Sequence, residues 1–370
     1  LAVMSLRGPD RWRIISAIPG PIRVAGRVVW REIQNLPYLP YQFFTPDLPV
    51  YDLQISPDDL IFLETNLPDD DAYTLGKEHK VPVPVTLGFN GEAYEGEIRY
   101  RGGGKVHWLW PKKSYIIDFK KNQRLRGDDK IDLIIPHDRQ FIAEEFNNYR
   151  ARKLGLKVPD TRFVVVRING GSPMLYWEAE RPGKEFLEGQ GLSGDANLYE
   201  ADSAETGSIY DSTNSWEKRA FDIRFDEAET GDLETLISLL NTASDKEFNT
   251  HIFSILDKES FYAWSVHTLL ARSNHQDWAH NMRLYFDPSI GKFLPLPWDV
   301  GIGYNYENAD ARQLVEESWN PLANRILRNP EFLRERNERL WAYVGDDKNI
   351  TDDLAHYDEL FGSIKTALYQ

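Results

Sequence analysis

Between residues 81 and 100 apolar and polar positions alternate, with Val81, Val83, Val85 and Leu87 before Asn90-Gly91 and Tyr94, Ile98 and Tyr100 after it. Period-two alternation broken by Asn-Gly predicts a hairpin, because both turn positions need positive φ. Pro82 and Pro84 lack an amide hydrogen, which points to an edge strand. A further strand is expected over 112–119, and a second hairpin over 163–168 and 174–180 about Asn169-Gly170-Gly171. Ser56-Pro57-Asp58-Asp59 ahead of Leu60, Phe62 and Leu63 predicts a helix capped by Ser56 with Pro57 in its first turn. Residues 138–154 carry Phe141, Phe146 and Leu154 and run into Gly155, the pattern of a helix and its stop. After about residue 181 the apolar period lengthens, and helices are expected over 232–240, 246–256, 258–273, 321–328, 330–344 and 351–368. A small hairpin, 282–286 with 292–296, interrupts them. Strands first and helices afterwards make an α+β fold. The division expected is a basic arm over 1–46, a β-rich lobe over 47–180 and a helical lobe over 181–370.

Composition narrows the function. A chain of 370 residues is long enough for two lobes and a cleft between them. With 41% hydrophobic residues and eleven tryptophans it can bury a large core. A net charge of −15 argues against a general nucleic-acid partner, while leaving room for a local basic cleft. There is no cysteine, which excludes thiolate nucleophiles, iron–sulfur clusters and cysteine-bound zinc. Any metal must sit on oxygen or imidazole. A thiol-free chain suits export, so an extracytoplasmic location is expected, and a start at Leu1 leaves room for a signal or anchor ahead of it. The first 36 residues set six arginines against Asp10 and Glu32, interleaved with Trp12, Ile14, Ile15, Ile18, Val28, Val29 and Trp30. Such an arm either touches an anionic membrane surface or packs on the acidic body. The longest charge-free run, 33–46, holds three prolines and is too short to span a membrane. Residues 195–234 place twelve acids against Lys218, Arg219 and Arg224, the composition of a solvated face that could also dock a basic partner.

Two clusters carry chemistry. In the first, Asp277 and Asn281 precede the small hairpin and Pro297-Trp298-Asp299 follows it, so the turn of the chain would bring three oxygen ligands to one rim. Asn281 and Asp299 suit Mg²⁺, which takes one or two protein oxygens and completes its shell with phosphate and water. Asp277 would then accept a hydroxyl proton. The plainer alternative makes both aspartates loop caps. In the second cluster, Arg101-Gly102-Gly103-Gly104-Lys105 precedes Lys112-Lys113, where backbone N–H groups and a lysine could meet an anion. A tight turn beside solvated lysines is the competing meaning. The histidines show no His-Glu-x-x-His spacing, no serine sits in a nucleophile elbow, and Glu178 with Glu180 could be a carboxylate pair or alternate strand residues.

At these residues the chain resembles the spore coat protein H (CotH) kinase family of atypical, protein kinase-like proteins. The resemblance runs from about residue 48 to 344 through Pro49 to Leu53, Ser56 to Leu60, Arg99-Tyr100-Arg101-Gly102 and Pro111 to Tyr115, then 138–155, 164–170, Tyr176, Glu180, Asp277, Asn281 and Pro297-Trp298-Asp299. It implies a two-lobed kinase-like fold that binds ATP with Mg²⁺ or Mn²⁺ and transfers phosphate to Ser or Thr of a protein, or to a surface polymer. By the same resemblance Asp277 and Lys112 are catalytic, and Asn281 and Asp299 hold the metal. Arg101, Gly102, Gly103, Lys112, Lys113 and Glu180 line the nucleotide, with Lys113 the alternative to Lys112. Glu144 or Glu145 would pair with the lysine. The chain departs from the family at Gly301, where a second Asp is common, at Glu200, where Lys is common, and at Ala143, where Arg is common. These departures make a non-catalytic assembly or polysaccharide-associated protein the second hypothesis.

Overall fold

Alternation in the first half of the chain closes a barrel. The computed structural model describes Leu36 and residues 47–69, 72, 74–137, 140–201, 204, 207–301 and 318–368. The basic arm and its expected membrane contact lie outside the described residues, apart from Leu36. Seven strands, β1 (Val50–Gln54), β2 (Val83–Phe89), β3 (Glu92–Tyr100), β4 (Tyr115–Phe119), β5 (Lys130–Ile134), β6 (Thr161–Ile168) and β7 (Met174–Glu180), pair in the order β1-β2-β3-β4-β5-β7-β6. Neighbours are antiparallel except β1 and β6, whose parallel pairing of Val50 with Val165 shuts the ring. Asn90 and Gly91 take φ of 53° and 81°, and Asn169 and Gly170 take 50° and 72°, so both expected hairpin turns form at left-handed residues.

The edge-strand expectation fails, since β2 is flanked by β1 and β3. Its register with β1 covers only residues 86–88, so Pro84 lies past the end of β1 and its missing amide hydrogen breaks no bond on that side. The strand expected from Lys112 starts at Tyr115, because the preceding segment folds back, with Ser114 N–H donating to the His107 carbonyl and Arg101 N–H to the Ser114 carbonyl. Inward positions such as Leu53, Ile98, Tyr100, Ile117 and Tyr176 fill the barrel. Helix α1 (Pro57–Thr65) is capped by the Ser56 hydroxyl accepting from Asp59 N–H, as its sequence predicts.

Between β5 and β6 runs α2 (Ala143–Lys153), which ends at Gly155 with φ 78°. It begins later than expected: Asp138 lies outside the described residues, and Gln140 and Phe141 adopt φ of 49° and 61°, a turn rather than a helix. Beyond the barrel come α3 (Lys184–Gly189), β8 (Leu198–Ala201), β9 (Glu217–Ala220), α4 (Gly231–Thr242), α5 (Asp245–Ile255) and α6 (Lys258–Leu270). The hairpin β10 (Met282–Asp287) and β11 (Lys292–Leu296) follows, and α7 (Pro321–Leu327), α8 (Pro330–Val344) and α9 (Asp347–Ile364) complete the described chain. Strands β8 to β11 form one antiparallel sheet in the order β11-β10-β8-β9. The chain is therefore mixed α+β, a β-rich region followed by a helical one.

The acidic 195–234 stretch is not simply a solvated face, because it supplies β8, whose four residues are all buried. Helix α2 ties the two regions. Its Asn147 Nδ2 donates to the Val300 carbonyl at 2.7 Å, and Arg150 and Lys153 each reach Asp353 of α9 at 2.8 Å. Ile364 and Ala367 near the C-terminus pack on the outer barrel wall with Ile134, Phe163 and Trp177. Among the described residues no helix is long and apolar enough to cross a membrane.

Candidate functional site

The β10–β11 hairpin builds one rim of the site. Arg283 pairs with Leu296, so Asn281 just before β10 and Asp299 just after β11 lie at the same open end. Asn281 Nδ2 donates to Asp299 Oδ2 at 3.2 Å. Both residues are left-handed, at φ 62° and 55°, a conformation that Asn and Asp tolerate better than other side chains with a Cβ. Gln276, 5% exposed, holds the loop before β10 by donating Nε2 to the carbonyls of Asn281 and Leu296, while its Oε1 accepts from Trp264 Nε1 at 2.8 Å. Asn320 Nδ2 donates to the Gln276 carbonyl at 3.2 Å.

Asp277 is buried in that loop. Its Oδ1 accepts from Ala279 N–H at 2.7 Å, His280 N–H at 3.1 Å and His280 Nδ1 at 2.7 Å. Asp299 Oδ2 is paired with His275 Nδ1 at 2.9 Å, and the two imidazoles meet edge to face with centroids 5.5 Å apart. The hydrogen bond to Asp277 raises the His280 imidazole above its ordinary pKa, against burial that lowers it. Asp277, His280, His275, Asp299 and Asn281 thus form one connected polar rim. The sequence reading brought the three oxygen-bearing residues together but weighed the histidines only for zinc spacing. Their place two and three residues from Asp277, with Asp299 across the hairpin, was the available signal.

Next to this rim, Arg283 is buried and stacks on Trp298 with its guanidinium carbon 4.0 Å from the ring centre. Arg283 also pairs with Glu200 at 2.9 Å, and Arg219 reaches the same carboxylate at 2.7 Å. Glu200 is therefore an anion between two arginines.

The second cluster lies on the barrel. Gly102 has φ 78°, and a Cβ there would stand 2.1 Å from the His107 ring, so glycine is required on both counts. The Gly103 carbonyl accepts from Leu75 N–H and Trp108 Nε1. Among the described residues the N–H groups of Gly102, Gly103 and Gly104 meet no acceptor. Arg101 Nε donates to buried Asp132 at 2.7 Å. Lys113 is buried, donates to the Trp110 carbonyl at 2.7 Å and pairs with Glu64 of α1 at 3.6 Å; burial lowers its pKa. Lys112 lies with Nζ 4.8 Å from the centre of the Tyr176 ring. Glu145 accepts from Trp177 Nε1 at 2.9 Å and from the Thr161 hydroxyl, and is thereby engaged with the barrel wall, while Glu144 is buried beside it on α2.

Glu180 lies on the strand that carries Tyr176. It shares a strand face with Tyr176 and Glu178, the face turned to the barrel interior, and its Oε2 accepts from Asp160 N–H at 2.9 Å. Burial, opposed by that bond, lifts its pKa to about 7. Glu178 is bound to Tyr51 and Arg126, so the two glutamates belong to a polar barrel end. Helix α2 joins the barrel wall, through Glu145 and Trp177, to the residue after Asp299, through Asn147.

The donor set fits a hard cation that brings its own water and phosphate ligands. Two oxygen-bearing side chains, Asn281 and Asp299, meet at an open hairpin end; among the described residues no group of three or more His, Cys, Asp or Glu forms a closed metal cage.

A family model described as CotH kinase protein matches residues 98–350. The chain is also similar to the inner spore coat protein H of Bacillus subtilis (strain 168), 26% identical over 305 residues that cover 80% of each chain.

Proposed function

The chain belongs to the CotH kinase protein family, and from that premise we propose that it is an ATP-dependent phosphotransferase with a two-lobed, kinase-like division of labour. The barrel with α2 serves as the nucleotide side and the helical region as the metal and acceptor side. The observation that carries this reading is the Asp277–His280, His275–Asp299–Asn281 rim at the end of the β10–β11 hairpin.

In the proposed site Asn281 and Asp299 hold Mg²⁺ or Mn²⁺, which when bound neutralises phosphate charge. Asp277 orients and deprotonates the acceptor hydroxyl. Its Oδ1 is filled by the Ala279 and His280 donors, which turns Oδ2 to the acceptor. Lys112 rather than Lys113 meets the nucleotide phosphates, because Lys113 is buried and Lys112 is partly exposed. Glu144 or Glu145 of α2 is the helix partner of that lysine. The free N–H groups at Gly102 and Gly103, beside Arg101, add donors on the nucleotide side. Glu180, inside the barrel, takes no part in our reading. The acceptor is Ser or Thr of a protein, or a surface polymer. The Bacillus subtilis relative is named for the inner spore coat, which favours an acceptor outside the cytoplasm. The non-catalytic alternative rests on Gly301 and Glu200, and Glu200 is weak support for it, since two arginines neutralise the carboxylate.

The test is incubation with γ-labelled ATP and Mg²⁺ or Mn²⁺, a basic protein as acceptor, and two variants in parallel. Label should appear with wild type. Asp277→Ala should bind ATP and fail to transfer, and Asp299→Ala should lose metal-dependent nucleotide binding. Equal ATP affinity of wild type and Asp299→Ala in Mn²⁺ would sink the metal assignment. Thermal stabilisation by ATP and metal without label would favour the non-catalytic alternative.

A further inference from the structure

Helix α9 seats one face on the body and leaves a second in solvent. On the seated face Asp353 binds Arg150 and Lys153 of α2, His356 stacks on Tyr149 with ring centroids 3.9 Å apart, and Leu360 and Ile364 pack on the outer barrel wall. Beside that face Ile350, Leu354, Tyr357 and Phe361, spaced four, three and four residues apart, run as a stripe along the helix. They are 41%, 62%, 46% and 41% exposed. Single exposed apolar residues are ordinary, but four at helical spacing form a face of the kind that buries against a partner. Tyr357 meets Phe146 of α2 edge to face at 5.9 Å, so the partly exposed Phe146 borders the stripe on one side. Exposed Asp347 and Asp358, one turn from Ile350 and from Phe361, border it on the other.

The chain's own N-terminal segment is placed to cover this stripe. Leu48, just ahead of β1, packs on the same outer-wall cluster as Leu360, around Ile364 and Ala367, so residues 1–46 join the body beside the C-terminal end of the stripe. Residues 33–46, next to that point, carry no charge and hold Tyr38, Leu39, Tyr41, Phe43 and Phe44. Pro37, Pro40 and Pro46 disfavour a helix there and favour an extended path. From Ile350 to Phe361 the helix rises about 16 Å at 1.5 Å per residue, a span that about five extended residues cover. Leu36 is 56% exposed, which leaves the contact to the residues after it. Farther from the body come the arginines of the basic arm, while α9 and its cap set Asp346, Asp347, Asp352, Asp353, Asp358 and Glu359 against Lys348. The apolar stretch therefore matches the stripe, and the basic stretch matches the acids around it.

We propose that the N-terminal segment docks on α9 of its own chain, its charge-free residues before Asp47 lying extended along Phe361, Tyr357, Leu354 and Ile350 in that order. The docked segment clamps α9 and, through Asp353, the contacts with α2 that tie the two regions together. It needs neither nucleotide nor metal, so it stands or falls separately from the phosphotransferase reading.

The chain has no cysteine, so an introduced pair reports on one contact alone. The full chain carrying Leu39→Cys with Leu354→Cys, or Phe43→Cys with Phe361→Cys, is oxidised mildly. Each is compared with a chain that keeps the same N-terminal substitution and carries Glu359→Cys, an exposed site on the opposite face of α9. Both stripe pairs should close a disulfide within one chain about tenfold faster than their controls, through the local concentration that docking supplies. Leu354→Ser added to the Phe43→Cys, Phe361→Cys chain should slow closure by about tenfold, the scale of a lost leucine contact. Equal or reversed rates on the two faces overturn the docking, as does closure that Leu354→Ser leaves unchanged. Disulfides between chains, seen as dimers on a non-reducing gel, give the stripe to a second copy. Equal rates in a chain that sediments with phosphatidylserine vesicles give the segment to a membrane surface. Either of these results also overturns the proposal.

Discussion

Replacing Glu200 by lysine should damage this chain rather than improve it. Glu200 is 2% exposed and lies between Arg283 at 2.9 Å and Arg219 at 2.7 Å. The Arg219 side chain is 34% exposed, so water screens its share and its contribution is discounted. The Arg283 side chain is 2% exposed and cannot recover solvation, and removing one member of such a buried pair costs about 3–5 kcal/mol. Glu200→Gln keeps the shape and one acceptor and should lose about 3 kcal/mol, while Glu200→Lys adds a third cation and should lose about 5 kcal/mol. Equilibrium urea unfolding followed by circular dichroism and tryptophan fluorescence measures both, the latter because Trp298 stacks on Arg283. Arg283→Glu placed in the Glu200→Lys background should restore part of the loss through the reversed pair. A Glu200→Lys chain within about 1 kcal/mol of wild type, or strictly additive losses in the double variant, would refute the claim that Glu200 is a structural anion.

Two further outcomes follow from the same geometry. At Gly301 a Cβ would meet no atom of the described residues within 4 Å, and its φ is not left-handed. Gly301→Asp should therefore melt like wild type and tighten Mn²⁺ on the order of tenfold by adding a carboxylate to the rim; manganese titration by paramagnetic resonance checks this, and unchanged affinity would place residue 301 away from the ion. In the barrel, burial raises Glu180 from 4.5 to about 7 and Asp128 from 3.8 to about 6. Because both folded values exceed the unfolded ones, the stability they contribute is complete below about pH 4 and is lost as pH rises through 7. Urea midpoints across that range should fall with pH in wild type and flatten in Glu180→Gln; a wild-type slope of opposite sign would contradict the buried carboxyl.

Legibility followed the range of each interaction. The 83–100 hairpin could be read because Asn90-Gly91 and the alternating valines act within a few residues of one another. Strands β5 and β8 could not, since both are short and nearly uniformly buried, which erases alternation. Closure of the barrel depends on Val50 meeting Val165 in parallel, a pairing with no local signature. At the site, Asn281 and Asp299 were brought together on paper because a hairpin's register is local. The acidity of 195–234 concealed the pairing of Glu200, whose partner Arg283 arrives from another strand of the sheet.

The left-handed backbone at Asn281 and Asp299 also decides how the metal assignment must be tested. Each such residue with a Cβ costs about 1 kcal/mol or more, a strain that Asp and Asn lessen with their short polar side chains. Asp299→Ala removes the charge and the conformational tolerance together, so loss of nucleotide binding in that variant alone would have two causes. Asp299→Asn keeps the tolerance and removes only the charge, whereas Asp299→Gly relaxes the strain and removes the side chain. If the carboxylate meets the ion, Asn and Gly variants should both lose Mn²⁺-dependent ATP binding while differing little from wild type in melting temperature. If Asp299 merely orders the loop through His275 and Asn281, the Asn variant should keep binding, since an amide oxygen can still accept from His275 Nδ1. The contrast between the two substitutions, rather than the alanine alone, separates a metal ligand from a loop brace.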